Sequence, residues 1–226
     1  MIQIIIQIIL GIFVADLAAG FSHWIEDSYL NYCTSIPFLS VIAKENEMHH
    51  YFPRAMLHES YFQNIKTTII IMIILFCFLY LIIPSQFTKY PVFFITFFVF
   101  ACIGNLFHRF THHRECESHY IILQLQKLGI ICSHEHHRVH HATRPDGRYC
   151  VIFPINNYIL DNIYFWRILE VIVGMFGLKP DRKSVYKDYE SIHNYMHEDS
   201  KKKCPKHPTV KDVDILSKKL ENFMKC

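Results

Sequence analysis

The sequence predicts an all-α integral membrane protein: about three transmembrane helices, with further helices on the cytoplasmic face or in the interface carrying a histidine-rich di-metal site. Three observations carry that expectation. The 226 residues are 51% hydrophobic, and those residues come in long blocks. Two of the blocks, 67–83 and 91–107, contain no charge, and the block at 2–22 contains only Asp16. Finally, 13 of the 16 histidines fall at the ends of these blocks or in the segments after them, and none falls inside.

The first block, "IQIIIQIILGIFVADLAAGFS", reaches about 30 Å as a helix, the thickness of a hydrocarbon core. It reads as a span and not as a cleaved leader, because "MIQIII" lacks a positive start and no small-residue cleavage site follows. Asp16 lies within it, costly in lipid, and the residue reads either as functional or as bonded to a neighbouring helix, with a lean toward functional. The blocks at 67–83 and 91–107 are short spans with interfacial flanks.

Charge orients them. Of the 23 Lys and Arg, only Lys89 lies in the turn between the second and third spans, three lie between the first and second, and 19 follow the third. The positive-inside bias therefore places 23–66 and everything after 108 in the cytoplasm. A net charge of +3 is too slight for nucleic acid, and no phosphate-binding glycine motif occurs. The eight cysteines show no C-x-x-C pair, and in a reducing compartment they are expected as free thiols.

After the third span, apolar residues from Ile159 to Val173 recur at helical intervals, predicting one amphipathic helix over 158–173, against the membrane or the protein's own core. From Asp181 the chain turns polar and basic, with a possible helix over 210–224. Residues 1–180 are thus expected to form the membrane domain and 181–226 a cytoplasmic tail.

The histidine spacing carries the chemistry. "HRFTH" sets His108 and His112 at i, i+4; "HRVHH" sets His137, His140 and His141 at i, i+3, i+4; "HWIED" sets His23 and Asp27 at i, i+4. Each arrangement puts its members on one helical face. "EMHHYFPRAMLHE" adds His49, His50 and His58. Nine histidines exceed the three or four ligands of a zinc site and suit two metals of higher coordination number. Neutral imidazole suits iron, and redox iron at a membrane face suggests oxygen chemistry on lipid. Asn105, one turn before His108, is a candidate to ligate through its amide oxygen or to hold a metal-bound water, and Asp27 and Asn105 are the catalytic candidates beyond the histidines. "HEHHRVHH" taken alone also reads as a solvated, pH-sensitive cluster or an adventitious metal site; four clusters meeting on one face favour the built metal centre.

"GFSHWIED", "HHYFP", "NLFHRFTH" and the long "LQKLGIICSHEHHRVHHATRPDGRYCVIFPINNYILDNIYFWRILE" resemble the lipid desaturase family that contains plasmanylethanolamine desaturase (the Kua or CarF family) and the plant chloroplast desaturase acting on phosphatidylglycerol. The likeness runs from about Asp16 to Pro180. Where the family has Arg-Glu before its first histidine pair, this chain has "NEM".

The resemblance implies an enzyme with two iron ions (Fe2+) that desaturates an alkyl or acyl chain of a membrane phospholipid. Its co-substrate would be O2, and its electrons would come through cytochrome b5 and cytochrome b5 reductase. The lack of an Arg- and Ser-rich transit peptide counts against a plastid and makes the endoplasmic reticulum the expected location. Conversion of the sn-1 alkyl ether of plasmanylethanolamine to a vinyl ether is the expected reaction. Acyl-chain desaturation, lipid hydroxylation and a catalytically silent membrane anchor are the alternatives. Arg144 and Arg148, around the "PDGRY" turn, are candidates to steady the substrate's phosphate, or simply to bind anionic lipid.

Overall fold

The structure, a computed structural model, describes residues 1–142, 147–180 and 206–223. Its described residues fold as ten α-helices and one 3-10 helix, and no strand occurs among them. Helix α1 (Ile2–Tyr29) packs along α5 (Pro91–Thr111), and α3 (Tyr61–Ile82) packs on the other side of α5. These three helices are long and apolar enough to cross a membrane. The short α4 (Pro84–Lys89) turns the chain between α3 and α5. Proline opens α4 and α5 at the first turn, where a missing N–H costs nothing.

The spans meet through small residues and aromatic rings. A Cβ on Gly11 would stand 2.9 Å from the Phe93 carbonyl oxygen, so only glycine allows α1 and α5 to approach this closely. Ala15, Met72, Phe97, Ala101 and Cys102 form the shared core. The outward faces are bare hydrocarbon: Ile4, Ile5 and Ile9 on α1 and Ile70, Ile74 and Leu81 on α3 are exposed, as lipid-facing residues are.

All three spanning helices run past the apolar blocks at the same end. α1 continues to Tyr29, α5 to Thr111, and α3 begins at Tyr61, six residues before its charge-free block, under a capping box of Ser60 and Gln63. On this side lie α2 (Pro37–Tyr51), a 3-10 helix (Pro53–His58), α6 (Tyr120–Lys127), α7 (His134–Ala142), α8 (Pro154–Asn162), α9 (Phe165–Gly174) and α10 (Val210–Phe223). The helix expected over 158–173 is two helices: Tyr164, at φ 54°, breaks it between α8 and α9. Periodicity cannot register that break, because apolar residues recur on both sides of it. Trp166 still faces inward, 1% exposed, in a core with Trp24, Tyr149, Cys150 and Leu160.

The helix expected in the tail is present as α10, docked on α2 and the 3-10 helix. Its Leu220, 1% exposed, packs against Tyr51, Met48 and Phe52. The cysteines divide: Cys77, Cys102, Cys132 and Cys150 are free thiols as expected, whereas Cys33 and Cys116 are disulfide-bonded. Spacing along the chain showed no pair because folding, not local sequence, brings cysteines together.

Candidate metal centre

Two groups of ligand atoms form where α1, α2, α5 and α7 converge. His49 of α2, His108 and His112 at the end of α5, and His137 of α7 make one group; His23 and Asp27 of α1, His50 of α2 and His140 of α7 make the other. Within each group the atoms lie within 4.8 Å of one another. His49 and His50 are adjacent on α2, about 100° apart around the axis, so one reaches each group. His137 and His140 divide in the same way. Imidazole rings across the boundary sit close, at 5.6 Å for His49–His50 and 5.4 Å for His137–His140.

His141 lies between the groups. Its Nε2 is 2.9 Å from His137 Nε2, and its ring is 4.6 Å from that of His49 and 4.8 Å from that of His50. His108 Nε2 is 3.0 Å from the same His137 nitrogen. Three imidazole nitrogens thus converge where each hydrogen bond would need one of them to carry a proton.

The donor chemistry fits a pair of metal ions. Nε2 of His23, His49, His112 and His140, and Asp27 Oδ2, are buried without a hydrogen bond, an expensive arrangement unless a cation satisfies them. The opposite ring nitrogens show the complementary pattern. His23 Nδ1 donates to the Tyr149 carbonyl at 3.2 Å and His140 Nδ1 to the Gly147 carbonyl at 2.9 Å, which leaves each Nε2 as a lone-pair donor. Asp27 Oδ1 accepts from His50 Nε2 at 2.8 Å and Asn46 Nδ2 at 3.0 Å, while its Oδ2 lies 3.2 Å from His140 Nε2 and 3.6 Å from His23 Nε2.

Burial, reinforced by neighbouring imidazoles, holds His49, His112, His137 and His141 well below the usual histidine range. They are neutral at pH 7, the form that ligates metal. His50 is the exception: burial pushes it down, but the Asp27 carboxylate outweighs this and raises it.

The surrounding polar contacts position the ligand segments. Asp16, fully buried, accepts the backbone N–H groups of Val151, Ile152 and Phe153 at 3.1, 2.9 and 3.0 Å and the Asn156 amide at 2.7 Å. The lean toward function at Asp16 is thereby corrected: four donors occupy the carboxylate, which ties α1 to the segment supplying the Tyr149 carbonyl. Gly20 makes the same contact possible, since a Cβ there would stand 2.8 Å from Cys150 Sγ. Arg109 donates to the carbonyls of Met56 and Leu57 at 2.8 and 3.0 Å and to the Asn64 side chain. Arg54 pairs with Glu117 at 2.7 and 2.9 Å and donates to the His112 carbonyl at 3.3 Å.

Eight of the nine predicted histidines therefore converge, together with Asp27. His58 stands outside both groups, its Nδ1 donating to the Ala55 carbonyl at 2.5 Å. Asn105 is exposed and turned to α3, donating to the Asn64 carbonyl at 3.1 Å and Thr68 Oγ1 at 3.0 Å. Arg148 is half-buried beside α7, and Arg144 lies outside the described residues. Sequence reasoning missed Asn46, whose i, i+4 relation to His50 was available as a signal, and missed Arg54 and Arg109, which show none.

The lipid desaturase domain profile matches residues 12–183. The chain is 30% identical over 198 residues to a protein named probable fatty acid desaturase from Acanthamoeba polyphaga mimivirus, covering 84% of this chain and 90% of that one. It is 26% identical over 185 residues to plasmanylethanolamine desaturase 1 of Mus musculus, covering 78% and 68%. It is 25% identical over 178 residues to the chloroplastic fatty acid desaturase 4-like 2 of Arabidopsis thaliana, covering 75% of this chain and 60% of the plant protein's length. No solved structure matches the chain.

Proposed function

The chain belongs to the lipid desaturase family, and on that premise we propose that it is a di-iron enzyme converting the sn-1 alkyl ether of plasmanylethanolamine to the vinyl ether of a plasmalogen. The single observation that supports a redox metal centre is the convergence of eight histidines and Asp27, among which Nε2 of His23, His49, His112 and His140 and Oδ2 of Asp27 are buried without a hydrogen bond. Two iron ions bound there would supply, with O2, the oxidising power to take two hydrogens from adjacent chain carbons. The balance needs two further electrons and two protons, which together with the two hydrogens reduce O2 to two waters; cytochrome b5 and its reductase are the proposed source.

The protein's own part is positioning. Asp27 orients His50 through Oδ1, and the Gly147 and Tyr149 carbonyls hold His140 and His23 with Nε2 turned inward. Burial of the donors keeps water out, so the oxidising power is spent on the chain carbon. Arg148, with Arg144, is proposed to hold the substrate's phosphate, and the endoplasmic reticulum, with the histidine side in the cytoplasm, is the proposed location.

A second reading, desaturation of an acyl chain, is favoured by the names of the mimiviral and plant relatives. Lipid mass spectrometry separates the two. Cells lacking vinyl-ether lipids and fed alkyl-ether precursor are expected to accumulate acid-labile species two hydrogens lighter with this chain, and none with His140→Ala. New acyl unsaturation without vinyl ether would move the assignment to the second reading. No new lipid from an inserted, iron-loaded chain would reject both.

A further inference from the structure

A cavity of about 390 Å³ lies among α6, α7 and α8, and the donor set makes no use of it. Helix α7 separates the two: His137, His140 and His141 form its donor face, while Glu135, His136 and Val139, about half a turn round, line the cavity.

One cation lines this cavity with little to bind. Arg148 makes a single side-chain hydrogen bond among the described residues, from Nη1 to the His136 carbonyl at 3.4 Å. Asp161 accepts the backbone N–H of Arg148, at 3.3 and 3.2 Å, and its carboxylate attracts the guanidinium through space without a hydrogen bond between the two side chains among the described residues. Glu135 is committed to Arg138 by two contacts of 2.6 and 2.9 Å.

The backbone makes the choice of arginine informative. Arg148 has φ 60°, a left-handed conformation that disfavours any residue with a Cβ. Both flanking carbonyls are occupied in holding ligands, Gly147 by His140 and Tyr149 by His23, so the segment is held in this conformation. Glycine would meet that demand with less strain; what arginine adds is the guanidinium.

The rest of the cavity suits an anion at a membrane surface. Ser133 Oγ caps α7 by accepting the His136 N–H at 3.1 Å, which places the positive end of a nine-residue helix at the cavity wall. Ile155 and Tyr158, lining residues that are 57% and 56% exposed, lead into the exposed Leu128, Ile130 and Ile159. That apolar border meets lipid in place of water.

We propose that this cavity binds a phosphate group, that of a phospholipid headgroup, gripped by the Arg148 guanidinium at the N-terminal end of α7. The lipid origin rests on the family reading; the anion chemistry stands without it. A headgroup held there is tied through residues 147–149 to the carbonyls that orient His140 and His23.

The test measures binding, not turnover. The full-length protein in detergent is titrated with dihexanoyl phosphatidylethanolamine, and separately with inorganic phosphate, by native mass spectrometry, with metal content recorded. Arg148→Gly should fold at least as well, keep its metal, and bind the phospholipid about tenfold more weakly or worse, since hydrogen bonds to a charged group are lost. Arg148→Lys, which keeps a point charge without the fork, should fall between the two and carries the comparison if the glycine variant fails to fold. Unchanged phospholipid affinity in the variant that folds overturns the site, and equal affinity for inorganic phosphate overturns the lipid source. Specific headgroup binding in a protein that desaturates nothing would sink the catalytic reading and leave the site standing; desaturation with affinity indifferent to Arg148 would do the reverse.

Discussion

A residue's role here follows from how many donors it satisfies. Asp16 resembles a catalytic carboxylate by its place in a span, yet three backbone N–H groups and an amide fill its acceptor positions. Asp16→Ala leaves those donors buried without a partner and is expected to cost about 3 kcal/mol or more. In detergent that is a fall of roughly 6–12 °C in thermal midpoint, and an unchanged midpoint would return Asp16 to the list of functional candidates. Asp27 and His140 differ, because each keeps a buried ligand atom unpartnered. His140→Ala is expected to lower bound metal by about one ion per chain, measured by elemental analysis, with the protein still inserted. Full metal content would remove His140 from the donor set.

The elements extend their spans to build the site. α1 and α5 carry His23, Asp27 and His108 only because helix continues one to two turns beyond the apolar block, into the layer where α2 and α7 lie. The contact between α1 and the segment after α7 depends on Gly20, beside Cys150. Gly20→Val must displace backbone as well as sulfur, since Cys150 N and Cα lie 3.2 and 3.3 Å from the Cβ position. It is expected to reduce metal loading several-fold at equal membrane insertion, checked by metal analysis of the inserted fraction; normal loading would mean that α1 can withdraw without disturbing His23. At the break between α8 and α9, Tyr164→Gly should relieve about 1 kcal/mol of left-handed strain and raise the midpoint in detergent by roughly 2–4 °C.

At the scale of the molecule, the buried histidines set its acid behaviour. Burial first, and neighbouring positive groups second, push His113 and His136 down to about 4. Unfolded imidazoles take up protons near 6.5. Between about 6.5 and about 4 the unfolded chain therefore binds more protons than the folded one, and stability falls as pH falls; above that window both states are neutral and the effect vanishes. His49, His112, His137 and His141 act in the same direction and His50 in the opposite one. Metal-free protein should hold its midpoint from pH 8 to 7 and lose it progressively below about 6.5. A midpoint that rises on acidification would contradict this burial. Orientation has its own test: Cys33 and Cys116 are on the histidine side and disulfide-bonded. After reduction, a membrane-impermeant thiol reagent is expected to leave both unlabelled in intact cells and to label them once the cells are permeabilised; labelling of intact cells would overturn the cytoplasmic orientation.

The sequence by itself determined what is local and repetitive: three apolar blocks, the side on which imidazole collects, and the i, i+3 and i+4 pairs that put His108 with His112 and His137 with His140 and His141 on helix faces. Hydrophobicity and helical period are properties of neighbours along the chain, so both are legible there. Tertiary structure alone decided which histidine joins which group, that His58 and Asn105 stand apart, that Asp16 serves backbone N–H groups 135 to 137 residues away, and that Tyr164 ends a helix its apolar pattern would continue. Those outcomes depend on carbonyls and amides brought together across long stretches of chain. A backbone carbonyl such as that of Gly147 or Tyr149 carries no mark of its role in the residue's identity, because every residue has one.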